Sequence, residues 1–128
     1  MFFTALPELK TELSHVSSDM EAMLPENWLT GTVGEIITDV MNSRGKGVRP
    51  SLLLLMAKLG PNYLQNQQRL FRLASLAEFI HMASLIHDDI VDDSVLRRGN
   101  PTIQAKYGKD MAVYAGDLIL SQTLLVIL

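Results

Sequence analysis

An acidic run, DDIVDD at residues 88–93, is the part of the sequence best suited to bind a cation. On a helix, Asp88 and Asp92 lie one turn apart on the same face, and Asp89 lies near both. Two carboxylates about 5 to 6 Å apart repel each other by about 3 kcal/mol at an effective dielectric constant of about 20, and a bound cation relieves that cost. Mg²⁺ takes one or two carboxylates and completes its octahedron with water and phosphate oxygens. The run therefore predicts a magnesium site for a diphosphate, and the alternative is a solvated acidic helix end.

Two basic features accompany the acidic run. Arg97 and Arg98 follow it closely, and an arginine side chain matches phosphate oxygens with two parallel hydrogen bonds. Lys46 and Arg49 belong to the sequence GKGVRP at residues 45–50, which precedes a predicted helix whose first N–H groups also favour anions. These cations indicate phosphate binding. The alternative for the arginine pair is a solvated position or a bridge to a neighbouring acid.

Two histidines lie close to the acidic run on the same predicted helix. His81 precedes Asp88 by seven residues, which places both on one helical face, two turns apart. A lone histidine in an apolar helix is also a common hydrogen-bonded core residue, and both interpretations stay open. His87 is either a ligand or only a neighbour of the aspartates, and the role of Asp93 is equally open.

Helices are the elements that the hydrophobic pattern predicts around these residues. Apolar spacings of three and four, interrupted by Gly and Pro, predict helices at about 6–23, 32–41, 50–59, 66–91, 102–107 and 109–128, with a loop at 96–102. We expect Pro50 to begin the third helix and residues 52–59 to be almost entirely buried. The predicted core faces of the first and fourth helices are Leu6, Leu9, Leu13, Val16, Met20 and Met23, and Leu70, Leu73, Leu76, Ile80, Ala83, Ile86 and Ile90.

The composition describes a chain that can fold, and it excludes several kinds of function. The 128 residues are 48% hydrophobic and 20% charged, as in a globular domain. Without cysteine there is no disulfide or cysteine nucleophile, and the net charge of −3 disfavours nucleic acid as a partner. The first residues lack the regions of a signal peptide, and the uncharged tract 118–128 has about half the length of a spanning helix. We therefore expect a cytoplasmic protein with no membrane span.

Taken together, the motifs resemble those of the trans-isoprenyl diphosphate synthases, the polyprenyl synthetase family. The resemblance rests on GKxxRP at 45–50, His81, DDxxD at 88–92 and RRG at 97–99, in this order and at these spacings. It extends to LAEFI before the histidine, to PT after the arginines and to GD at 116–117. Most of residues 43–120 are covered.

The resemblance implies a fold, a reaction and a role for each residue of the motifs. The fold is an all-α, antiparallel helix bundle around a central cavity, the isoprenoid synthase fold, usually a homodimer. The reaction condenses isopentenyl diphosphate with an allylic diphosphate, after Mg²⁺ helps diphosphate to leave the allylic partner as a cation. By resemblance, Asp88, Asp89 and Asp92 bind Mg²⁺, Arg97 binds the allylic diphosphate, and the diphosphate of isopentenyl diphosphate is held by Lys46, Arg49, His81 and Arg98.

The sequence departs from the family pattern in one loop and in length. Arg44 stands where the family usually has the first glycine of its motif, and Gly47 stands for an arginine. Members of the family are more than twice as long and carry a second aspartate-rich motif, which the sequence lacks. We therefore expect residues 1–128 to be the amino-terminal part of a single helical synthase domain, with the carboxy-terminal half absent. Such a chain holds about half of an active site and is inactive alone.

Product length is a further property that the resemblance addresses. Ala83 and Ser84 precede Asp88 by five and four residues, a rise of about 6 to 8 Å along a helix. Short-chain members of the family place bulky aromatic residues in this region, so two small residues imply a product longer than farnesyl diphosphate. The alternative is that the small residues only let a neighbouring helix pack closely.

Two other functions compete with that of a chain-elongating synthase. One is a non-catalytic subunit of a heteromeric polyprenyl synthase, which would explain the short chain but is expected to lack the intact first aspartate-rich motif. The other is a class I terpene cyclase, which has no second diphosphate and thus no use for Lys46, Arg49 and Arg98. A medium- or long-chain polyprenyl diphosphate synthase is the function that the sequence favours.

Overall fold

The computed structural model describes residues 6–128, and within this range the regular elements are helices and one small hairpin. The prediction that the chain has no signal peptide concerns its first residues, and residues 1–5 lie outside the described range. The helices are α1 (Pro7–Met23), α2 (Gly31–Asn42), α3 (Val48–Ala57), α4 (Gln67–Val91), α5 (Ile103–Tyr107) and α6 (Lys109–Ile127). Strands β1 (Leu96–Arg97) and β2 (Asn100–Pro101) form the hairpin. The all-α prediction is confirmed.

The chain divides into two compact units, and α4 contributes to both. The first unit comprises Met1–Met23 and Gly45–Glu78, and the second comprises Leu24–Arg44 and Phe79–Leu128. The GKGVRP loop with Lys46 therefore belongs to the first unit. The acidic run and both arginines of the hairpin belong to the second.

The first unit is built on the apolar face of α1. Leu9, Leu13, Val16, Met20 and Met23 are buried as predicted, whereas Leu6, which precedes the helix, is exposed. The Ser75 hydroxyl of α4 donates to the Val16 carbonyl at 3.2 Å and to the Phe71 carbonyl at 2.9 Å. A buried hydroxyl thus joins α4 to α1 within this unit.

Helix α3 differs from the prediction in its start and in its burial. It begins at Val48, two residues before Pro50, and its N-cap Gly47 has φ 71°, a conformation that favours glycine. Only Pro50, Ser51 and Leu54 are buried, and Leu52 is 57% exposed. The expectation of an almost entirely buried run is wrong, because an all-round apolar helix is covered only where neighbours surround it. Within its unit, α3 packs mainly against α1.

The second half of α4 carries the core of the second unit toward the acidic run. Its buried face passes through Phe79, Met82 and Ile86 and reaches Asp89 with spacings of three and four residues. Of the predicted face, Leu73 and Ile80 are exposed, because repeated steps of three rotate away from a 3.6-residue period. The helix bounds were predicted to within one residue, but the face was rotated.

Helices α2, α5 and α6 complete the second unit. The Asp39 carboxylate of α2 accepts hydrogen bonds from Lys106 and Tyr107 of α5, each at 2.5 Å. Helix α6 buries Ala112, Ala115, Gly116 and Ile119. By length and composition alone α6 could cross a membrane, a property that the core helices of globular proteins share.

Candidate active site

The acidic run occupies the end of α4, where its three aspartates separate into two environments. Asp88 and Asp92 are exposed, whereas Asp89 is 6% exposed. The Asp92 N–H donates to the Asp88 carbonyl at 2.8 Å, which continues the helical turn, and the Ser94 N–H donates to the Asp89 carbonyl at 2.9 Å. Carboxylates at the carboxyl end of a helix meet the negative end of its dipole. This position therefore favours a compensating cation.

Arg97 supplies that cation for Asp89. Its Nε lies 3.2 and 3.0 Å from the two carboxylate oxygens, and its terminal nitrogen lies 2.7 Å from Oδ1. The hydrogen bond to Asp89 raises the pKa of the Arg97 guanidinium, with smaller contributions from Asp88 and Asp92. For Arg97, the interpretation as the partner of a neighbouring acid is confirmed in this structure.

Arg98 is presented by the hairpin rather than held by an acid. The predicted loop at 96–102 contains the two short strands, and Arg98 with Gly99 forms the two-residue connection between them. Their φ angles are 51° and 81°, as in the type I′ turns that match the twist of paired strands. Arginine is an uncommon residue at positive φ. The turn directs an exposed guanidinium away from the chain at a conformational cost.

His87 links α4 to α6 within the second unit. Its Nε2 lies 3.2 Å from a carboxylate oxygen of Asp117, although this nitrogen is buried and its geometry is not that of a hydrogen bond. A Cβ on Gly116 would lie 2.3 Å from the same atom. His87 thus packs against the Gly116-Asp117 pair, which indicates a neighbour of the aspartates that joins two helices. Asp93 pairs with Lys109 at 3.0 Å.

The remaining predicted residues of α4 lie on different faces of the helix. His81 is half-buried, and its carbonyl accepts a hydrogen bond from the Ser84 hydroxyl at 2.7 Å. Ser84 is exposed, one turn before the exposed Asp88, whereas Ala83 is completely buried. Ala83 and Ser84 therefore cannot both line one channel beside Asp88, and Ser84 has the required direction.

Lys46 and Arg49 lie at the start of α3 in the first unit. Both side chains are exposed, and neither makes a hydrogen bond or ion pair within the described chain. The Gly47 carbonyl accepts from the Ser51 hydroxyl at 2.6 Å and from its N–H at 3.0 Å, which fixes the first turn of α3. Lys46 and Arg49 therefore flank a helix N-terminus whose backbone conformation is fixed by the hydrogen bonds of Gly47 with Ser51.

The aspartates fit a magnesium ion in one particular way. Among the residues that the structure describes, no group of three His, Cys, Asp or Glu side chains converges on a metal position. Asp88 and Asp92 face solvent and accept no side-chain hydrogen bond within residues 6–128. Two such carboxylates suit Mg²⁺, because this ion takes one or two carboxylates and fills its other positions with water and phosphate. Asp89 is engaged with Arg97 instead.

The helical architecture, with an acidic helix end beside an arginine-bearing hairpin, matches solved structures of the isoprenoid synthase fold. A sequence model of the polyprenyl synthetase family matches residues 30–128, and the chain belongs to this family.

Relatives of known name support the assignment at the level of the family. The chain is 38% identical over 116 residues to heptaprenyl diphosphate synthase component 2 of Geobacillus stearothermophilus, with 91% of the chain and 35% of that protein covered. It resembles the crystal structure of heptaprenyl diphosphate synthase from Staphylococcus aureus with a TM-score of 0.79 and 29% identity, covering 91% of this chain and 36% of the other.

A second similar structure is a geranyltransferase from Helicobacter pylori complexed with magnesium and isoprenyl diphosphate. Its TM-score is 0.66 and its identity is 28%, with 91% of this chain and 42% of the other covered. The chain thus spans roughly a third of the length of the relatives that it matches.

Proposed function

We propose that the chain is part of a trans-prenyltransferase that condenses isopentenyl diphosphate with an allylic diphosphate to make a medium- or long-chain polyprenyl diphosphate. The observation that carries the proposal is the arrangement at the end of α4, where solvent-facing Asp88 and Asp92 precede a hairpin that presents Arg98. One surface of the second unit thereby offers oxygen ligands for a cation and a guanidinium for a phosphate. The names of the relatives support polyprenyl diphosphates as products.

Each residue has a separate task in this proposal. Asp88 and Asp92 would hold Mg²⁺, and Mg²⁺ supplies neutralisation of the charge on the departing diphosphate. Arg97 pairs with Asp89, and from that position it would bind the allylic diphosphate. Arg98 and His81, both in the second unit, would bind the diphosphate of isopentenyl diphosphate. For Lys46 and Arg49 of the first unit, the same role stays a prediction from the family resemblance. The condensation breaks the bond from allylic carbon to diphosphate oxygen, joins that carbon to the double bond of isopentenyl diphosphate and releases a proton.

Calorimetric titration of inorganic pyrophosphate into the 128-residue chain tests the proposed site. We expect binding with Mg²⁺ that is lost in EDTA, and a decrease in affinity of about tenfold or more in Asp88→Asn, because a charge-assisted contact contributes about 1.5 to 3 kcal/mol. The matched control is Asp110→Asn, an exposed aspartate in the first turn of α6. Equal affinities in the presence and absence of Mg²⁺ would contradict the proposal. The chain alone is expected to show no condensation.

Ser84 is the residue that we propose to limit product length. It is exposed one turn before Asp88, so an aromatic side chain there would meet a hydrocarbon that runs back along α4. Ser84→Phe in a synthase containing this chain should shorten the product while the condensation rate is largely kept. Ala83→Tyr instead places a ring in a fully buried position and should destabilise the fold. Unchanged product lengths in Ser84→Phe, measured by chromatography, would contradict this role.

A two-component synthase is the second candidate assembly. The observation that favours it is the name of a close relative, a component 2 of heptaprenyl diphosphate synthase. In this assembly the chain belongs to the component with the aspartate-rich motif and works with a different second chain. A homodimer is the assembly that the family resemblance implies, and a cytoplasmic location stays a prediction from the first residues of the sequence. Sedimentation of the purified synthase, with and without a co-expressed second component, distinguishes the two.

A further inference from the structure

The segment that joins the acidic run to α5 is gathered around one backbone carbonyl. The carbonyl oxygen of Ser94 accepts a hydrogen bond from the Thr102 hydroxyl at 2.7 Å and another from the Gln104 side-chain amide at 2.7 Å. The Ser94 N–H in turn donates to the Asp89 carbonyl at 2.9 Å. The segments before and after the Arg98 hairpin are therefore both hydrogen-bonded to Ser94.

Gln104 is the unusual member of this group. It lies in the short helix α5 and is 8% exposed, although a polar amide is costly to bury without partners. The partner of its side-chain amide belongs to the connecting segment, because the amide donates to the Ser94 carbonyl at 2.7 Å. Because this buried amide donates to the connecting segment, we expect the position of that segment to depend on Gln104.

Thr102 has a second task that Gln104 does not share. Its hydroxyl oxygen accepts the Ala105 N–H at 3.2 Å and so caps α5, while its own N–H donates to the Val95 carbonyl at 2.9 Å. Replacing Thr102 would therefore disturb a helix as well as the hairpin. A substitution of Gln104 therefore removes a contact between the hairpin segment and α5 without removing the N-cap of that helix.

We propose that Gln104 is a positioning residue, which holds the hairpin at a fixed distance from Asp88 and Asp92, so that Arg97 stays beside the allylic diphosphate and Arg98 reaches the diphosphate of isopentenyl diphosphate. The expected effect on diphosphate binding rests on the proposed function. The restraint of the hairpin by the Gln104 amide rests only on the observed hydrogen bond to Ser94.

Amide hydrogen exchange of the 128-residue chain tests the restraint. In Gln104→Met, which keeps the length of the side chain and removes the donor, we expect the Thr102 N–H to exchange about fivefold to tenfold faster, as for one lost hydrogen bond. The matched control is Gln65→Met, an exposed glutamine of the first unit. Unchanged exchange of the Thr102 N–H in Gln104→Met, or equally faster exchange in Gln65→Met, would overturn the inference.

Pyrophosphate affinity in Mg²⁺ separates positioning from a general loss of stability. Gln104→Met should lower the affinity about fivefold, whereas the core variant Ile119→Val should lower the melting temperature and leave the affinity unchanged. Equal affinity losses in both variants would overturn a positioning role. Absence of pyrophosphate binding to the wild-type chain would instead overturn the proposed function, while the exchange rates still decide whether Gln104 restrains the hairpin.

Discussion

Two segments of the chain present exposed cations next to glycines, and the structure holds them in different ways. Around Arg98, the backbone is fixed by an ion pair, a hairpin and the contacts of Ser94. At the start of α3, Lys46 and Arg49 have no side-chain partners within the described chain. Cations that look alike in the sequence thus differ in how strongly the structure fixes their backbone before a ligand binds. A segment that is already fixed loses less conformational entropy on binding.

The largest effect should follow from Asp88, one of the two solvent-facing aspartates of the DDxxD motif, which form no ion pair with an arginine within the described chain. In a synthase containing this chain, Asp88→Ala should lower kcat about 10²- to 10³-fold, because it removes electrostatic stabilisation of the leaving diphosphate. Arg49→Ala, in the segment without side-chain contacts, should act mainly on the KM for isopentenyl diphosphate. Steady-state kinetics of both variants sharpen the comparison, and an unchanged kcat in Asp88→Ala would remove Asp88 from the site.

The next effect concerns stability. Asp89→Asn should lower the free energy of unfolding by about 1 to 2 kcal/mol, because Arg97 loses a charged partner that is buried and bound through both oxygens. Arg49→Met should change it by less than about 0.5 kcal/mol, as for an exposed residue without contacts. Urea denaturation of the 128-residue chain measures both. Equal losses would mean that the two segments are held alike.

Arg98 should show a smaller effect, of opposite sign. Arg98→Asn should raise the free energy of unfolding by about 0.5 to 1 kcal/mol, since asparagine tolerates the positive φ of a type I′ turn better than arginine. The same variant should weaken pyrophosphate binding. Gly47→Ala, which places an alanine at φ 71° before α3, should instead lower stability by about 1 kcal/mol. A destabilised Arg98→Asn would contradict the strained turn.

The smallest effect is expected in acid and involves the contact of α2 with α5. The hydrogen bonds from Lys106 and Tyr107 lower the pKa of Asp39 from its usual value of 3.8. Because the folded-state pKa is the lower one, the contribution is fully present above about pH 4 and is lost as pH falls through the folded pKa. Asp39→Asn should therefore flatten the fall of the melting temperature between about pH 4 and pH 2. An unchanged slope would show that Asp39 does not contribute.

Much of the site could be predicted from residue spacing alone. The burial of Asp89 was also predictable in this way, although the motif itself suggests a ligand. The bounds of α4 and the exposed face shared by Asp88 and Asp92 follow from helical periodicity. The aspartate-rich motif groups Asp89 with them, although it lies three residues beyond the buried Ile86 and so continues the core face. A core position for a carboxylate predicts a cationic partner. That signal was present in the sequence and was missed.

Local sequence by itself determined the helices, their punctuation by Gly and Pro, and the order of the family motifs. These depend on dihedral preferences and on contacts within a few residues, which a sequence displays directly. Tertiary structure decided that Arg97 neutralises Asp89, that Gln104 is buried against Ser94, and that most of α3 remains uncovered. Such pairings depend on which surfaces meet when helices pack, because a side chain chooses its partner from everything within hydrogen-bonding reach in space.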